Sequence, residues 1–407
     1  MDTQNTPVHI KLWHREFWMM AIANLLLMMS VYMLIPAMPP YLLSHGFSNL
    51  QVGMVMGVYG LGVFVLGGFC SYWVQRFRRN RVCQRAILGV IFCLALLYYL
   101  EHVLNVKLEF WMILVSRFAL GACLGLAQMT LASTLIIDTC ESFQRTEANY
   151  TAAWFGRFAL SLGPVLSVWV FKCFNYGSVL LAACASAIVA LVLISTIKFP
   201  FKAPSDTMKV FSLDRFFLPQ GILLFVNLLL ITTVIGLIFS LQHSETFYCM
   251  LMLGFVIALL AEKYAFPDAD LKSEIVTGLI LMEAAVLIFF SNNERAILFV
   301  APTLIGFGIG IIGSRFLLFF IKLAKHCQRG TSQSSFFLSW ELGVSLGLLL
   351  GIGFLGNHSF EHSLQGYLPV LKVEHEGILL SCTVLIIVSF VFYNFFVHSW
   401  FMKHKNR

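Results

Sequence analysis

The chain has 407 residues, 59% of them hydrophobic and only 12% charged. That is about half the charge of an ordinary soluble domain, and it excludes a large water-soluble fold. The net charge of +7 does not describe a nucleic-acid surface either, because the cations fall in alternate short loops rather than on one patch.

A span needs about 20 apolar residues to cross the hydrocarbon layer. Apolar stretches at 17–42, 50–75, 82–104, 110–138, 147–171, 177–199, 216–241, 246–264, 273–291, 296–321, 331–355 and 376–400 predict twelve of them. Each is expected to be α-helical, because lipid offers no partner for free backbone N–H and C=O groups. The first is too long for a cleavable signal peptide, and no small-residue cleavage site follows it. The ten cysteines lie mostly within spans and form no CxxC pair, so they read as apolar packing residues.

The N-terminus, the even-numbered loops and the C-terminal tail hold 20 of the 27 Lys and Arg residues. The odd-numbered loops hold four, Lys107, Lys172, Arg295 and Lys372, and Arg117, Arg157 and Arg315 lie within spans. This asymmetry predicts a multi-pass protein of the plasma (inner) membrane with both termini cytoplasmic. The longest cytoplasmic connection, 200–215, divides the chain into a six-helix bundle at 1–199 and a second at 216–407.

The two halves echo each other. The stretch 144–166 (QRTEANYTAAWFGRFALSLGPVL) aligns with 328–350 (QRGTSQSSFFLSWELGVSLGLLL). Arg145 falls on Arg329, Arg157 on Glu341 and Gly163 on Gly347, a constant offset of 184 residues. A fainter echo pairs Gln75-Arg76-Phe77 with Glu262-Lys263-Tyr264. The expected fold is therefore an all-α polytopic membrane protein of two pseudo-symmetric six-helix bundles.

Several motifs resemble those of the major facilitator superfamily along nearly the whole chain. The first span ends in Leu34-Ile35-Pro36-Ala37-Met38-Pro39-Pro40-Tyr41, like that family's proline-punctuated first helix. The loop SYWVQRFRRNR, with Gln75, Arg76, Arg79 and Arg81, is similar to the family's cytoplasmic signature loop, but Gln75 stands where that loop has Asp. Arg117-Phe118-Ala119-Leu120-Gly121 resembles the fourth-helix motif, and Gly163-Pro164 resembles the fifth-helix element, a helix kink, that marks exporters. The run from Arg329-Gly330-Thr331 to Gly347 is similar to the start of the family's eleventh helix. The resemblance is nearest the drug/proton antiporter branch. It implies a transporter with alternating access, a cavity lined mostly by the first, fourth, seventh and tenth helices, and a role for Arg117 in proton movement.

Ionisable groups at mid-membrane depth are functional candidates, since each costs a few kcal/mol to insert. Arg157 and Glu341 lie about ten residues into their spans, ~15 Å deep, and are expected to form a pseudo-symmetric pair facing the cavity. Glu341 would be the protonatable carboxylate. Arg157 would bind an anionic group or hold Glu341 ionised. Glu283 reads as a buried pairing within the second bundle, and Arg315 as a snorkelling or inner-gate residue. Asn24 and Tyr32 in span one, Gln128 in span four and Asn227 in span seven either contact substrate or tie helices together. Glycines cluster in spans two, four, ten and eleven, where close apolar contacts would let helices slide.

His358 and His362 in the outer loop are four residues apart, but no scaffold supports a metal site there. Nucleotide-binding and hydrolase motifs are missing from the sequence. The reading that follows is a secondary active transporter, not an enzyme, needing no cofactor and no metal. Its partners would be a small-molecule substrate, protons and membrane lipid, with no nucleic acid, and the chain would act as a monomer. Proton-coupled export of a small organic solute is the first expectation, and proton-coupled uptake of a nutrient such as a sugar or organic anion is the alternative. A lipid-acting membrane enzyme would need clustered His or carboxylates, and a receptor would bring a soluble partner-binding segment.

Overall fold

The computed structural model describes residues 12–104, 108–136, 139–141, 143–197, 209–241, 244–266, 270–291, 294–325, 328–356, 359–361, 370–372 and 376–405. His358 and His362 lie outside these. The helical stretches, in chain order, are α1 (Arg15–Ser44), α2 (Asn49–Val65 with Gly67–Arg76), α3 (Arg79–Val103), α4 (Phe110–Leu135), α5 (Arg145–Cys173) and α6 (Tyr176–Thr196). They continue as α7 (Pro219–Leu241), α8 (Glu245–Tyr264), α9 (Leu271–Phe289), α10 (Ala296–Leu323), α11 (Arg329–Leu355) and α12 (Glu376–His404). Two three-residue strands, β1 (Ser359–Glu361) and β2 (Val370–Lys372), pair antiparallel with Ser359 opposite Lys372.

Among the described residues, ten of the helices are long and apolar enough to cross a membrane, and the bent α2 makes eleven. α9 falls outside this group because Lys272, Glu274 and Glu283 are crowded into its 19 residues. Large apolar side chains such as Phe92, Trp111, Trp169 and Leu181 stand exposed on the outer faces, as a lipid-facing surface requires.

Local chemistry sets several helix ends. Ser48 and Gln51 form a reciprocal capping box that starts α2, and Asn175 caps α6 through the Ser178 N–H. α2 bends by 43° between Val65 and Gly67. Gly67 and Gly68 there take the rings of Phe216 and Phe211 against their bare Cα atoms, and the Ser212 N–H donates to Gly68 O at 2.9 Å. The segment leading into α7 is thus seated on the bend of α2.

The packing repeats. α1 contacts α5 and α6, α2 contacts α4, and α3 contacts α4 and α6. The same pairings recur six helices later: α7 with α11 and α12, α8 with α10, and α9 with α10 and α12. Contacts across the middle are matched as well, α2 with α11 and α5 with α8, then α4 with α11 and α5 with α10.

The glycine clusters divide between these two kinds of contact. A Cβ on Gly62, Gly121 or Gly125 would sit 2.3 Å from a backbone oxygen across the α2–α4 contact. Gly306 of α10 against α8 and Gly347 of α11 against α7 are equally tight, at 2.2 Å. These glycines fasten helices within one half. Gly53, Gly57, Gly60 and Gly67 of α2, Gly313 of α10, and Gly330 and Gly353 of α11 instead meet residues of the other half, and Gly310 lies between Ala258 of its own half and Trp154 of the other.

Candidate functional site

A cavity of about 50 Å³ lies where α1, α4 and α5 meet α11. Helical spacing explains its lining. Asn24, Met28 and Tyr32 recur every four residues on one face of α1, and Gln128 and Ala132 do so on α4. Ala152, Ala153, Gly156 and Arg157 form the matching face of α5. Gln333, Phe336, Phe337, Trp340 and Glu341 form that of α11. A cavity this small holds a few waters, whereas ligand sites run to about 300–1,000 Å³.

Glu341 is 1% exposed. Its Oε1 accepts from the Tyr32 hydroxyl and its Oε2 from the Tyr59 hydroxyl, the latter at 2.9 Å. Both tyrosines belong to the opposite half of the chain. The Tyr59 ring carries the guanidinium of Arg117 on its face at 5.1 Å. Arg117 is 2% exposed, and its Nε and Nη1 have no hydrogen-bond partner. Arg117, Tyr59, Glu341 and Tyr32 therefore form one chain of contacts from α4 to α11.

Arg157 is 3% exposed. Its Nη1 donates to Ser314 Oγ at 2.8 Å and to Gly310 O at 3.5 Å, both on α10. The guanidinium lies 4.5 Å from the Trp154 ring centre. Its Nε and Nη2 are buried without partners. Arg157 and Glu341, expected as a pseudo-symmetric pair facing the cavity, both line it, and they make no ion pair with each other. The hydrogen bonds of each are made with neutral groups of the other half, tyrosine hydroxyls for Glu341 and a serine and a backbone carbonyl for Arg157, and the Glu262 carboxylate of α8 acts on Arg157 electrostatically.

The remaining candidates fall in different places. Asn24 reaches the cavity and donates to Ala152 O at 2.9 Å, leaving its Oδ1 unpartnered. Gln128 lines the cavity with Nε2 unpartnered. Asn227 does not line it: its amide binds Ser389 of α12 through both ends, at 2.6 and 3.4 Å, which makes it a tie between helices. The fourth-helix arginine, Arg117, also sits outside the lining. Arg315 pairs with buried Glu274 of α9. Among the described residues Glu283 makes no ion pair, and its Oε2 is buried without a hydrogen-bond partner. α5 runs as helix through Gly163 and Pro164, and Gly163 brings it against Met29 and Tyr32 of α1.

At the arginine-rich end, Gln75 donates to Ser71 Oγ at 2.9 Å and Arg76 to the Tyr72 hydroxyl. Arg79 begins the helical run of α3, and Arg81 is exposed there. The acid missing from position 75 is supplied from elsewhere. Asp214 accepts from Ser71 Oγ at 3.1 Å and from Thr331 Oγ1 at 3.3 Å, joining α2 to the first turn of α11. A carboxylate there also faces the positive end of the α11 dipole. Tyr150 of α5 donates to Glu262 of α8 at this end. At the opposite end Lys172 of α5 pairs with Glu245 of α8 at 3.0 Å. Both ends of the interface are thus in contact.

Sequence reasoning missed Tyr59, Ser314 and Asp214 as parts of this system, and it marked Glu262 only as the faint echo of Gln75. The α11 face was a further available signal, in the i, i+3, i+4, i+7, i+8 spacing of Gln333 to Glu341. Among the described residues no three His, Cys, Asp or Glu side chains gather closely enough to hold a metal ion.

A polytopic helical bundle with a polar, charge-bearing cavity at the seam of two similarly packed halves is the architecture of a membrane transporter. Residues 20–348 match the profile described as Major Facilitator Superfamily, and the chain belongs to that family. Among solved structures it is similar to the human organic anion transporter MFSD10 (TETRAN), with TM-score 0.65, 15% identity, and 93% of this chain and 98% of that one covered. It is also similar to a bacterial homolog of the human lysosomal transporter Spinster in an inward-facing, unoccupied conformation (TM-score 0.65, 14% identity, 96% and 98% covered). The outward-conformation transporter FucP gives TM-score 0.60 at 13% identity, with 95% and 99% covered. At these identities the likeness is one of fold. No curated protein sequence matches the chain.

Proposed function

We propose that this chain is a secondary active transporter that moves a small organic solute by alternating access, with proton-coupled export as its mode. In this reading twelve spans form two six-helix halves, residues 1–199 and 216–407, joined by a cytoplasmic linker at 200–215. Both termini face the cytoplasm of a plasma (inner) membrane, and the chain works as a monomer.

The observation that carries the reading is the setting of Glu341. An ionised carboxylate accepts both tyrosine hydroxyls, whereas a protonated one turns part of that accepting capacity into a donor. Its ties to Tyr32 and Tyr59 are charge-assisted, the stronger kind of hydrogen bond. Proton uptake by Glu341 therefore weakens a contact between the halves, and proton release restores it. That is the coupling a proton-driven carrier requires. Arg117, stacked on Tyr59, biases the same contact from α4.

Cargo does not follow from the fold, since the similar structures include transporters of organic anions, fucose and nucleosides. One of them is a proton symporter, and the unpaired edge of Arg157 also suits an anionic nutrient. Proton-coupled uptake is therefore the second reading. Proteoliposomes loaded with candidate solutes, with and without an imposed pH gradient, separate the two by the direction of accumulation. Glu341→Gln is expected to retain solute counterflow and lose accumulation driven by the gradient. Undiminished uphill transport by Glu341→Gln would remove the assignment of the proton site.

A further inference from the structure

The cavity contains one acid and one base, yet they do not present themselves to a ligand equally. Both oxygens of Glu341 are already engaged by hydroxyls. Arg157 has committed only Nη1. Its Nε and Nη2, which together form the side-on edge of the guanidinium, are buried and unpartnered. The plane of that edge is held by the contact with Trp154 and by Ser314. Gly313 keeps its flank clear: a Cβ there would stand 3.0 Å from Nε.

An unpaired buried guanidinium edge is costly, and two parallel N–H donors match the two oxygens of a carboxylate. Gln128 Nε2 adds a further unpartnered donor in the lining. The rest of the wall on α11 is aromatic, Phe336, Phe337 and Trp340, and gives a flat apolar body something to pack on. A cationic ligand would meet the guanidinium and find no free carboxylate oxygen among the lining residues, only the unpartnered amide oxygens of Asn24 and Gln333.

We infer that the cavity takes an aromatic organic anion, its carboxylate gripped side-on by Nε and Nη2 of Arg157 and its ring lying along the aromatic face of α11. The inference rests on the transport reading above and names its substrate class. Arg157 stands on α5 and is held from α10, so a bound anion sits on a group shared by both halves. The contracted cavity must widen to admit the ring, which ties binding to the same motion that transport uses.

The test is binding of radiolabelled naphthoate to the full-length protein in lipid nanodiscs, with naphthamide and naphthylmethylammonium as competitors. Saturable binding is expected, with the amide and the ammonium at least about tenfold poorer competitors than unlabelled naphthoate. Arg157→Lys keeps the charge, loses the fork and is expected to bind about tenfold more weakly. Gly313→Ala, which crowds the edge without touching the charge, is expected to weaken binding in the same direction. Lack of saturable naphthoate binding, equal competition by the amide, or unchanged affinity in Arg157→Lys would each overturn the inference. The competitor series needs no mutant, so a misfolded variant cannot decide the matter. Uphill transport of neutral solutes alone would sink the anion inference and leave the transport reading standing. Selective naphthoate binding without movement of any solute would do the reverse.

Discussion

Adding a single methyl group at Gly53 is predicted to open the interface at the end away from the arginine-rich loops. A Cβ on Gly53 would lie 2.7 Å from Gly353 Cα, 2.8 Å from Gly353 N and 3.0 Å from Leu349 O. All three neighbours are backbone atoms of α11, so no side chain can turn aside. Carbon atoms settle at about 3.5–4.0 Å, and the two helices must part by about 1 Å. Overpacking of this kind costs about 1–3 kcal/mol. The cost falls only on conformations in which α2 and α11 touch, which converts it into a shift of about 5- to 150-fold toward the state open at that end. Spin labels at Trp111→Cys and Phe354→Cys, both exposed in the native protein, report the distance across the opening. Gly53→Ala should populate a longer distance. Gly377→Ala, whose Cβ would meet only Leu355 O at 3.8 Å, should not. Identical distance distributions for Gly53→Ala and the parent would refute the claim that this seam separates during transport.

Tyr59→Phe removes the donor to Glu341 Oε2, a hydrogen bond to a charged group worth about 1.5–3 kcal/mol; gradient-driven accumulation in proteoliposomes should fall at least about tenfold while the protein remains folded. Asp214→Asn deletes the charge at the start of α11, and at this partly exposed position the cost is about 1 kcal/mol. Cysteine accessibility at the arginine-rich end should rise, and unchanged labelling would remove Asp214 from the closing contact. Ser389→Ala leaves the buried Asn227 Oδ1 without its donor and should lower stability by about 1–3 kcal/mol in thermal unfolding. Substrate affinity should be unaffected, and a loss of affinity would return Asn227 to the site.

The fold was largely legible because lipid imposes simple rules. Apolar length located the helices, the Lys and Arg asymmetry suggested their alternation, and the offset between Arg157 and Glu341 pointed to the matched packing of α5 and α11. The same echo found two residues that share a cavity, since equal depth on equivalent helices puts side chains at one level. What it could not give was their partners. Tyr59 is one apolar-looking residue among many on a glycine-rich helix, and Ser314 is one small residue in a glycine-rich helix. Both matter only through rotations about helix axes that no periodicity in one sequence specifies. Asp214 was hidden for another reason. Its place in the signature loop is taken by Gln75, and the acid arrives from the interhelical connection through folding onto the bend of α2. Asn227 stayed open between two roles because a buried amide looks the same in sequence whether it meets substrate or a serine on α12.

Alternation of access is the claim on which the whole account turns, and one cysteine measures it. Ala153 lines the cavity; Ala153→Cys, in a protein whose exposed Cys173 and Cys249 are changed to Ser, can be treated with a membrane-impermeant thiol reagent from either side in oriented vesicles. Labelling from both sides is predicted, with the balance between sides shifted by Gly53→Ala. Labelling from one side only, in the parent and in Gly53→Ala alike, would contradict it.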